Sequence, residues 1–322
     1  MPTHDPKTVL VTGSTGYVGS RLVPALLAAG HRVAAASRSG TEDYPWHHDV
    51  ETREFDITDD DLIAFAVQGV DVVVYLVHSM GDEDFVRKDR EAAHRVASAC
   101  EAAGVGQIIY LSGFVPDGEL SDHLRSRLEV EQVFLDSDID TIVLRAAMII
   151  GSGSTSYELL RRLSQRIPLI TPVPRWMDNK IQPVAVEDIA ALVVRALERP
   201  GRDQHYDVGG DEVLTYRDLL ATFADVAGLR RRTVLVPGLP SKLVGRAVAA
   251  ISGLEKIEVT ALIASLRHDM VCGENTVRGD LIDDDFSFTG IREALRRSLR
   301  TGGGEGTSKT GDVQSSAETD PA

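Results

Sequence analysis

A chain of 322 residues, 43% of them hydrophobic, has the apolar material for a substantial core, as one large domain or a domain with a lobe. Its 34 basic and 49 acidic residues give a net charge of −15, which repels nucleic acid and anionic membrane and argues against both as partners. A soluble, cytoplasmic protein acting on a small molecule is the expectation, with the oligomeric state left open.

The opening residues, MPTHDPK, lack the charged-then-apolar layout of a signal peptide. The short run Val9-Leu10-Val11 is too brief for a helix and reads as a buried strand. Gly13, Gly16 and Gly19 follow, then a helical pattern of Val18, Leu22, Leu26 and Ala29, with Gly30 placed for a left-handed C-cap. Pro24 lies inside that helix and predicts a bend. Strand, glycine turn and helix make a phosphate site: the backbone can approach a pyrophosphate closely, and the helix offers free N–H groups and a positive dipole end. The spacing, TGxxGxxG, is one residue wider than the GxGxxG dinucleotide fingerprint. His31 to Ser37 reads as the second strand. No Asp or Glu occurs from Ser14 to Thr41, where an NAD site places an acid for the ribose; Arg38, between Ser37 and Ser39, suits a 2′-phosphate instead.

The stretch TGSTGYVG resembles the short-chain dehydrogenase/reductase superfamily, in its atypical and extended branches, with NmrA-like proteins and relatives of the respiratory complex I 39-kDa subunit. The resemblance implies an α/β fold: a doubly wound parallel sheet of Rossmann type with a small, mostly helical C-terminal lobe. It also implies NADP(H) as cofactor, with NAD(H) the alternative. Gly13, Ser14, Thr15, Gly16, Tyr17, Val18 and Gly19 would then surround the pyrophosphate. Arg38 would take the 2′-phosphate, Asp56 and Ile57 would meet the adenine, and Val77, His78, Ser79, Arg127 and Ala147 would complete the cofactor site.

Further along, Thr58-Asp59-Asp60-Asp61 reads as a helix start, with acids at the positive dipole end. Val70 to Val77 reads as a central strand buried on both faces, ending at His78-Ser79 on the ligand edge. A helix from about Glu83 to Ala103 ends at Gly104; strands over Gln107–Leu111 and Ile139–Ile150 flank a helix over Leu124–Leu135. Strand and helix alternate as in a doubly wound sheet. LRAAMIIGSG resembles the LRPxxVxGxG segment of extended members, with Ala146 in place of proline. Gln182 to Ala190 resembles PVxVxDVA, in which Asp188 starts a helix returning to the core, and Tyr206 to Tyr216 resembles a segment of the complex I relatives. The resemblance covers roughly residues 8 to 220. The expected organisation is a Rossmann core over 1–150 with returning segments at 183–209, and a substrate-side lobe over 151–182 and 210–300.

Leu243, Ala247, Ala250 and Ile251 form a helical stripe read as core-facing, a membrane-surface or partner helix being the other reading. Arg246 interrupts Leu243–Leu254, the longest apolar run, which falls short of a spanning helix. Asp283-Asp284-Asp285 reads as a solvated charge run, and no metal site is expected. Cys100 and Cys272 have no metal or redox spacing and read as buried thiols of a reducing compartment. Residues 301–322 have the composition of a disordered tail.

In active members of the superfamily a Ser, a Tyr and a Lys cooperate, and Ser112 matches the serine. The Tyr-x-x-x-Lys pair is absent, since no lysine lies between Lys88 and Lys180. At the corresponding helix start stand His123 and Arg127, four apart and on one helical face. His123 can serve as general acid, because imidazole titrates near neutrality, and Arg127 can hold the ribose. Arg127 lowers the His123 pKa and Asp122 raises it, and the sequence does not decide between them. The leading expectation is NADPH-dependent reduction of a small carbonyl compound. The alternative is a non-catalytic NADP(H)-binding sensor, regulator or assembly factor. Tyr157, Arg175, Trp176 and Met177 suggest a partly apolar substrate pocket.

Overall fold

The computed structural model describes residues 5–79, 84–167, 170–199, 203–230, 232–236, 241–254, 256–299 and residue 314. Strands and helices alternate through β1 (Thr8–Thr12), α1 (Tyr17–Ala28), β2 (Arg32–Ser37), β3 (Glu51–Glu54), α2 (Asp60–Ala66), β4 (Val72–Tyr75), α3 (Phe85–Ala103), β5 (Gln107–Gly113), α4 (Asp122–Leu135) and β6 (Asp140–Ala146). β7 (Ile149–Ile150), α5 (Thr155–Arg166), β8 (Ile170–Pro174), β9 (Lys180–Ile181), β10 (Val184–Ala185), α6 (Val186–Leu197) and β11 (Gln204–Val208) follow. The chain continues through β12 (Leu214–Thr215), α7 (Tyr216–Val226), β13 (Arg232–Val236), α8 (Ser241–Ser252), α9 (Lys256–Ser265), α10 (Val277–Asp280) and α11 (Ile291–Ser298).

Seven strands form one parallel sheet in the order β11-β6-β5-β4-β1-β2-β3. Successive connections leave β1 in opposite directions, so a crevice opens above the carboxyl ends of β1 and β4, the switch point where doubly wound sheets bind ligands. The strand residues sort by their period of two. Val9, Val11, Val33, Ala35, Val72 and Val74 pack with α1 and α6 on one face. Leu10, Ala34, Ala36, Val73, Tyr75 and Tyr110 pack with helix residues such as Ile63, Val96 and Phe134 on the other. Coverage of both faces explains why these strands read as unbroken apolar runs. α1 continues through Pro24, and the chain turns from it at Gly30 with φ +89°, as it does from α3 at Gly104 with φ +73°.

Two expectations differ from the fold, and a third lies almost wholly outside the described residues. The sixth strand does not run to Ile150: β6 ends at Ala146, and β7 leaves the main sheet to pair in parallel with β10. The stripe Leu243, Ala247, Ala250 and Ile251 faces solvent, with Leu243 58% exposed. α8 buries the neighbouring face, Val244, Val248 and Ala249, against α5 and α9, and Gly245 admits Thr260 of α9 into close contact. One residue of helical phase, about 100°, separates the two faces, and both are aliphatic, so the periodicity did not distinguish them. The tail lies outside the described residues except for Gln314, whose buried amide donates to the Ile150 carbonyl at 2.6 Å.

The C-terminal helices and short strand pairs gather a separate apolar cluster, including Tyr157, Leu160, Ile181, Leu219, Phe223 and Met270, beyond the end of β5. Glu187 and Asp188, in the first turn of α6, hold Thr289 and Arg297 and so tie the last helix to the core. Burial raises the Asp188 carboxyl to about 6, opposed in part by its hydrogen bonds from Thr289. Cys100 and Cys272 are free thiols. Among the described residues, no helix is long and apolar enough to cross a membrane.

Candidate cofactor groove and active site

The glycine turn between β1 and α1 is built by close backbone packing. Gly13 has φ +66°, a conformation side chains rarely adopt. Gly16, with an ordinary φ of −75°, caps α1 without a side-chain hydrogen bond, and no acid occupies the first helical turn. The positive end of α1 is therefore not offset by protein charge. A Cβ at Gly19 would lie 2.3 Å from the Gly13 carbonyl oxygen and 2.8 Å from the Ser14 Cα. At Gly16 it would meet only that same oxygen, at 3.1 Å. The third glycine thus lets the helix dock onto the turn. The Tyr44 hydroxyl, from the connection after β2, donates to the Thr15 carbonyl at 2.6 Å and holds the turn from outside.

A groove of about 1490 Å³, its open mouth included, runs along the carboxyl ends of the strands. Gly13, Thr15, Gly16, Arg38, Asp56, Ile57, Val77, His78 and Ser79 all line it. Arg38 is exposed at its rim beside Ser37 and Ser39. The hydroxyl and N–H of Thr58 hold the Asp56 carboxyl below its ordinary range, with a smaller contribution from the charge of Arg38. One Asp56 oxygen accepts both Thr58 bonds, at 2.6 and 2.8 Å.

Other residues of the expected set do not line this groove. Ser14 is fully buried, and both its hydroxyl and its N–H donate to the Ala36 carbonyl, which ties β1 to β2. Val18 packs against the core. Tyr17 lies under the Arg21 guanidinium, and its hydroxyl occupies the space a Cβ at Gly151 would take, 1.9 Å away. Arg21 in turn donates to the Ser152 carbonyl at 2.8 Å. The GSG of the LRAAMIIGSG segment is therefore shaped by the helix of the phosphate turn.

Past His78 the groove meets a cluster around Arg127. Arg127 is buried, and its charge acts on His78, His123 and Tyr110. Ser112 Oγ, His123 Nδ1 and the Tyr110 hydroxyl are enclosed without a hydrogen-bond partner. Arg127 and Ser112 lie near enough to Tyr110 to perturb it, but neither meets hydrogen-bond geometry with it. Buried polar atoms are paired in the great majority of native structures, so the unpartnered Ser112 Oγ and His123 Nδ1 are unusual, whereas the Tyr110 ring belongs to the core beside Phe134.

Enclosure and then the charge of Arg127 lower the His123 pKa to about 3. Its position in the first turn of α4, at the positive dipole end, acts in the same direction. Asp122 does not compensate: it is exposed and paired with Arg125 at 2.5 Å. The competition left open by the sequence is decided for Arg127, and His123 is a neutral imidazole near pH 7. Surrounding protein, Arg127 and His123 also depress His78, but this ring opens much of its surface to the groove, which limits the shift.

On the other side of His123 lies a second cavity of about 850 Å³, part of it open to solvent. Ala147 and Met177 belong to this cavity. Tyr157, Arg175 and Trp176 are not in its lining: Tyr157 is buried against Phe223, Arg175 is exposed, and Trp176 packs between α5 and the α8–α9 pair. Among the described residues no group of three His, Cys, Asp or Glu could hold a metal, and Asp283 of the acidic run pairs with Arg195.

The profile of the NAD(P)H-binding family matches residues 13–200, from the first glycine of the turn to the end of α6. The chain belongs to that family. The ceramide reductase of Caulobacter vibrioides is 26% identical over 260 residues, 79% of this chain and 81% of that protein. Subunit 9 of the NADH dehydrogenase (ubiquinone) 1 alpha subcomplex of Arabidopsis thaliana mitochondria is 28% identical over 241 residues, 70% of this chain and 60% of that protein. The NADPH-dependent quinone oxidoreductase of Escherichia coli, solved with NADPH, shares the fold: TM-score 0.70 and 21% identity, over 89% of this chain and 98% of that one.

Two residues of this NAD(P)H-binding protein's site went unread in the sequence. Lys88 lines the groove and adds a second cation to it. Asp89, 2% exposed, accepts from the Ser79 N–H and the Ser126 hydroxyl, each at 2.8 Å, and so fixes the end of the groove to α4. Both sit in a helix that reads as an ordinary amphipathic element, and no spacing distinguishes an acid that is solvated from one that is buried.

Proposed function

We propose that this protein is an NADP(H)-dependent oxidoreductase that reduces a carbonyl compound. The observation that carries the reading is the placement of orphaned Ser112 Oγ and His123 Nδ1 beside buried Arg127, between a dinucleotide-shaped groove and a second cavity. The groove suits the cofactor: its glycine turn excludes side chains, the α1 terminus favours a pyrophosphate, and Arg38 and Lys88 favour an extra phosphate. When bound there, the reduced nicotinamide supplies the hydride that the carbonyl carbon accepts. Ser112 Oγ and a ring N–H of His123 hold the carbonyl oxygen. The fixed charge of Arg127 stabilises the alkoxide that develops on that oxygen, a role a neutral imidazole alone does not fill. His123 passes one ring proton to the alkoxide and regains one from solvent at its other nitrogen, which completes the alcohol without a lasting imidazolium beside Arg127. The reductase names of two similar proteins support this class of reaction.

A second reading is a nucleotide-bearing subunit or sensor without turnover. The absence of Tyr-x-x-x-Lys favours it, as does the likeness to the Arabidopsis respiratory subunit. Mixing the protein with NADPH and a carbonyl panel separates the two: NADPH oxidation dependent on a carbonyl supports the enzyme. Tight NADPH binding with no oxidation across the panel would refute it and support the second reading.

A further inference from the structure

Nineteen residues line the cavity beyond His123, and none carries a formal charge at neutral pH. Met148, Leu160, Leu163, Met177, Leu220 and Leu266 are typical of its wall, contributed by the turn after β6, α5, the turn before β9, α7 and the end of α9. Its hydroxyls are few: Ser265 Oγ shares a hydrogen bond with Ser121 Oγ at 3.0 Å, and the others belong to Ser156 and Tyr216. A short hydrophilic carbonyl compound would leave this wall in contact with water. A sugar nucleotide would bring phosphates to a wall with no cation to receive them. Three methionines, Met148, Met177 and Met270, make the wall adaptable in shape.

We propose that the cavity takes the long apolar body of a lipophilic carbonyl compound, an acyl or alkyl chain with its carbonyl at the Ser112–His123 end. The inference rests on the reductase reading for which end is reactive, but the apolar selectivity is a property of the cavity alone. His123 brings the Arg127 cluster to this cavity, its neighbour Gly113 follows Ser112 in the chain, and leucines and methionines from the helices make up most of the rest of the wall. Orientation then follows from burial: the chain goes to the lobe and the carbonyl stays at the cluster.

The test is a homologous series of methyl ketones, from 2-butanone to 2-tridecanone, presented to the protein with NADPH for turnover and with NADP⁺ for calorimetric binding. Affinity and kcat/KM rise about fourfold per added methylene until the cavity is filled, then level off. Filling the cavity from two different elements, by Leu163→Trp or Met177→Trp, moves the levelling point to shorter chains. Binding that grows with chain length without turnover sustains this proposal and overturns the reductase reading. Turnover that ignores chain length, or that is best with short hydroxyketones, overturns this proposal and leaves the reductase reading intact. Failure of every long-chain ketone to bind overturns the proposal whatever the turnover.

Discussion

Acidification should destabilise the free protein through His123, by an amount the structure allows to be worked out. The ring has an ordinary pKa of 6.5 when unfolded and about 3 when enclosed beside Arg127. The unfolded chain therefore binds a proton between these values that the folded chain refuses. The contribution of the neutral ring is fully present above 6.5 and is lost as pH falls towards 3. At about pH 5 the unfolded ring is about 1.5 pH units below its midpoint, and at about 1.4 kcal/mol per unit the loss is about 2 kcal/mol. Part of the ring opens to the cavity, which brings the expected figure to about 1–2 kcal/mol. The assay is urea unfolding of wild type and His123→Gln at about pH 7.5 and about pH 5. Glutamine cannot take up the proton, so the variant should lose about 1–2 kcal/mol less than wild type on acidification. Equal losses, or a ring titration midpoint near 6.5 by NMR, would refute the reasoning. The same shift removes the histidine-like limb from the neutral part of a pH–rate profile, contrary to what the sequence alone leads one to expect.

Three further outcomes follow from the site. Gly19→Ala should cost about 1–3 kcal/mol in stability and abolish NADPH binding, because its Cβ meets backbone at 2.3 and 2.8 Å; Gly16→Ala, with one contact at 3.1 Å, should be milder. Thermal melts with NADPH titrations check this order, and the reverse order would place the tight packing elsewhere. Arg38→Ala should weaken NADPH about tenfold and leave NADH unchanged, read by calorimetry with both cofactors; a preserved preference would point to Lys88 as the selective cation. Arg127→Ala should lower turnover by about 10²–10³ and raise the His123 titration midpoint, while Arg127→Lys, keeping a charge but losing the planar fork, should recover part of both.

The parts of the fold legible in the sequence are those fixed by local chemistry. Gly13 must be glycine because its φ is +66°, and Val9-Leu10-Val11 must be apolar throughout because helices cover both faces of the sheet. Nine of the expected cofactor residues share one groove because short connections leave each strand at the same edge. What stayed illegible depends on neighbours distant in the chain. Ser14 looks like a phosphate ligand until Ala36 is placed beside it. Leu243 and Val244 are equally apolar, and only the position of α9 decides which is buried.

The same distinction bears on the pair His123 and Arg127. Spacing puts both on one face of α4, but whether the histidine is an acid depends on what faces it from other elements. A lysine beside a tyrosine favours ionisation of the phenol and so brings its pKa down towards neutrality, where it can give up a proton. An arginine beside a histidine also lowers the pKa, but from 6.5 to about 3, away from neutrality. The substitution of both residues therefore does not preserve the chemistry with new letters. It leaves the positive charge on the residue one turn on but keeps the proton carrier neutral, and it makes Arg127, buried at 8% exposure, the group on which stabilisation of a developing alkoxide would depend.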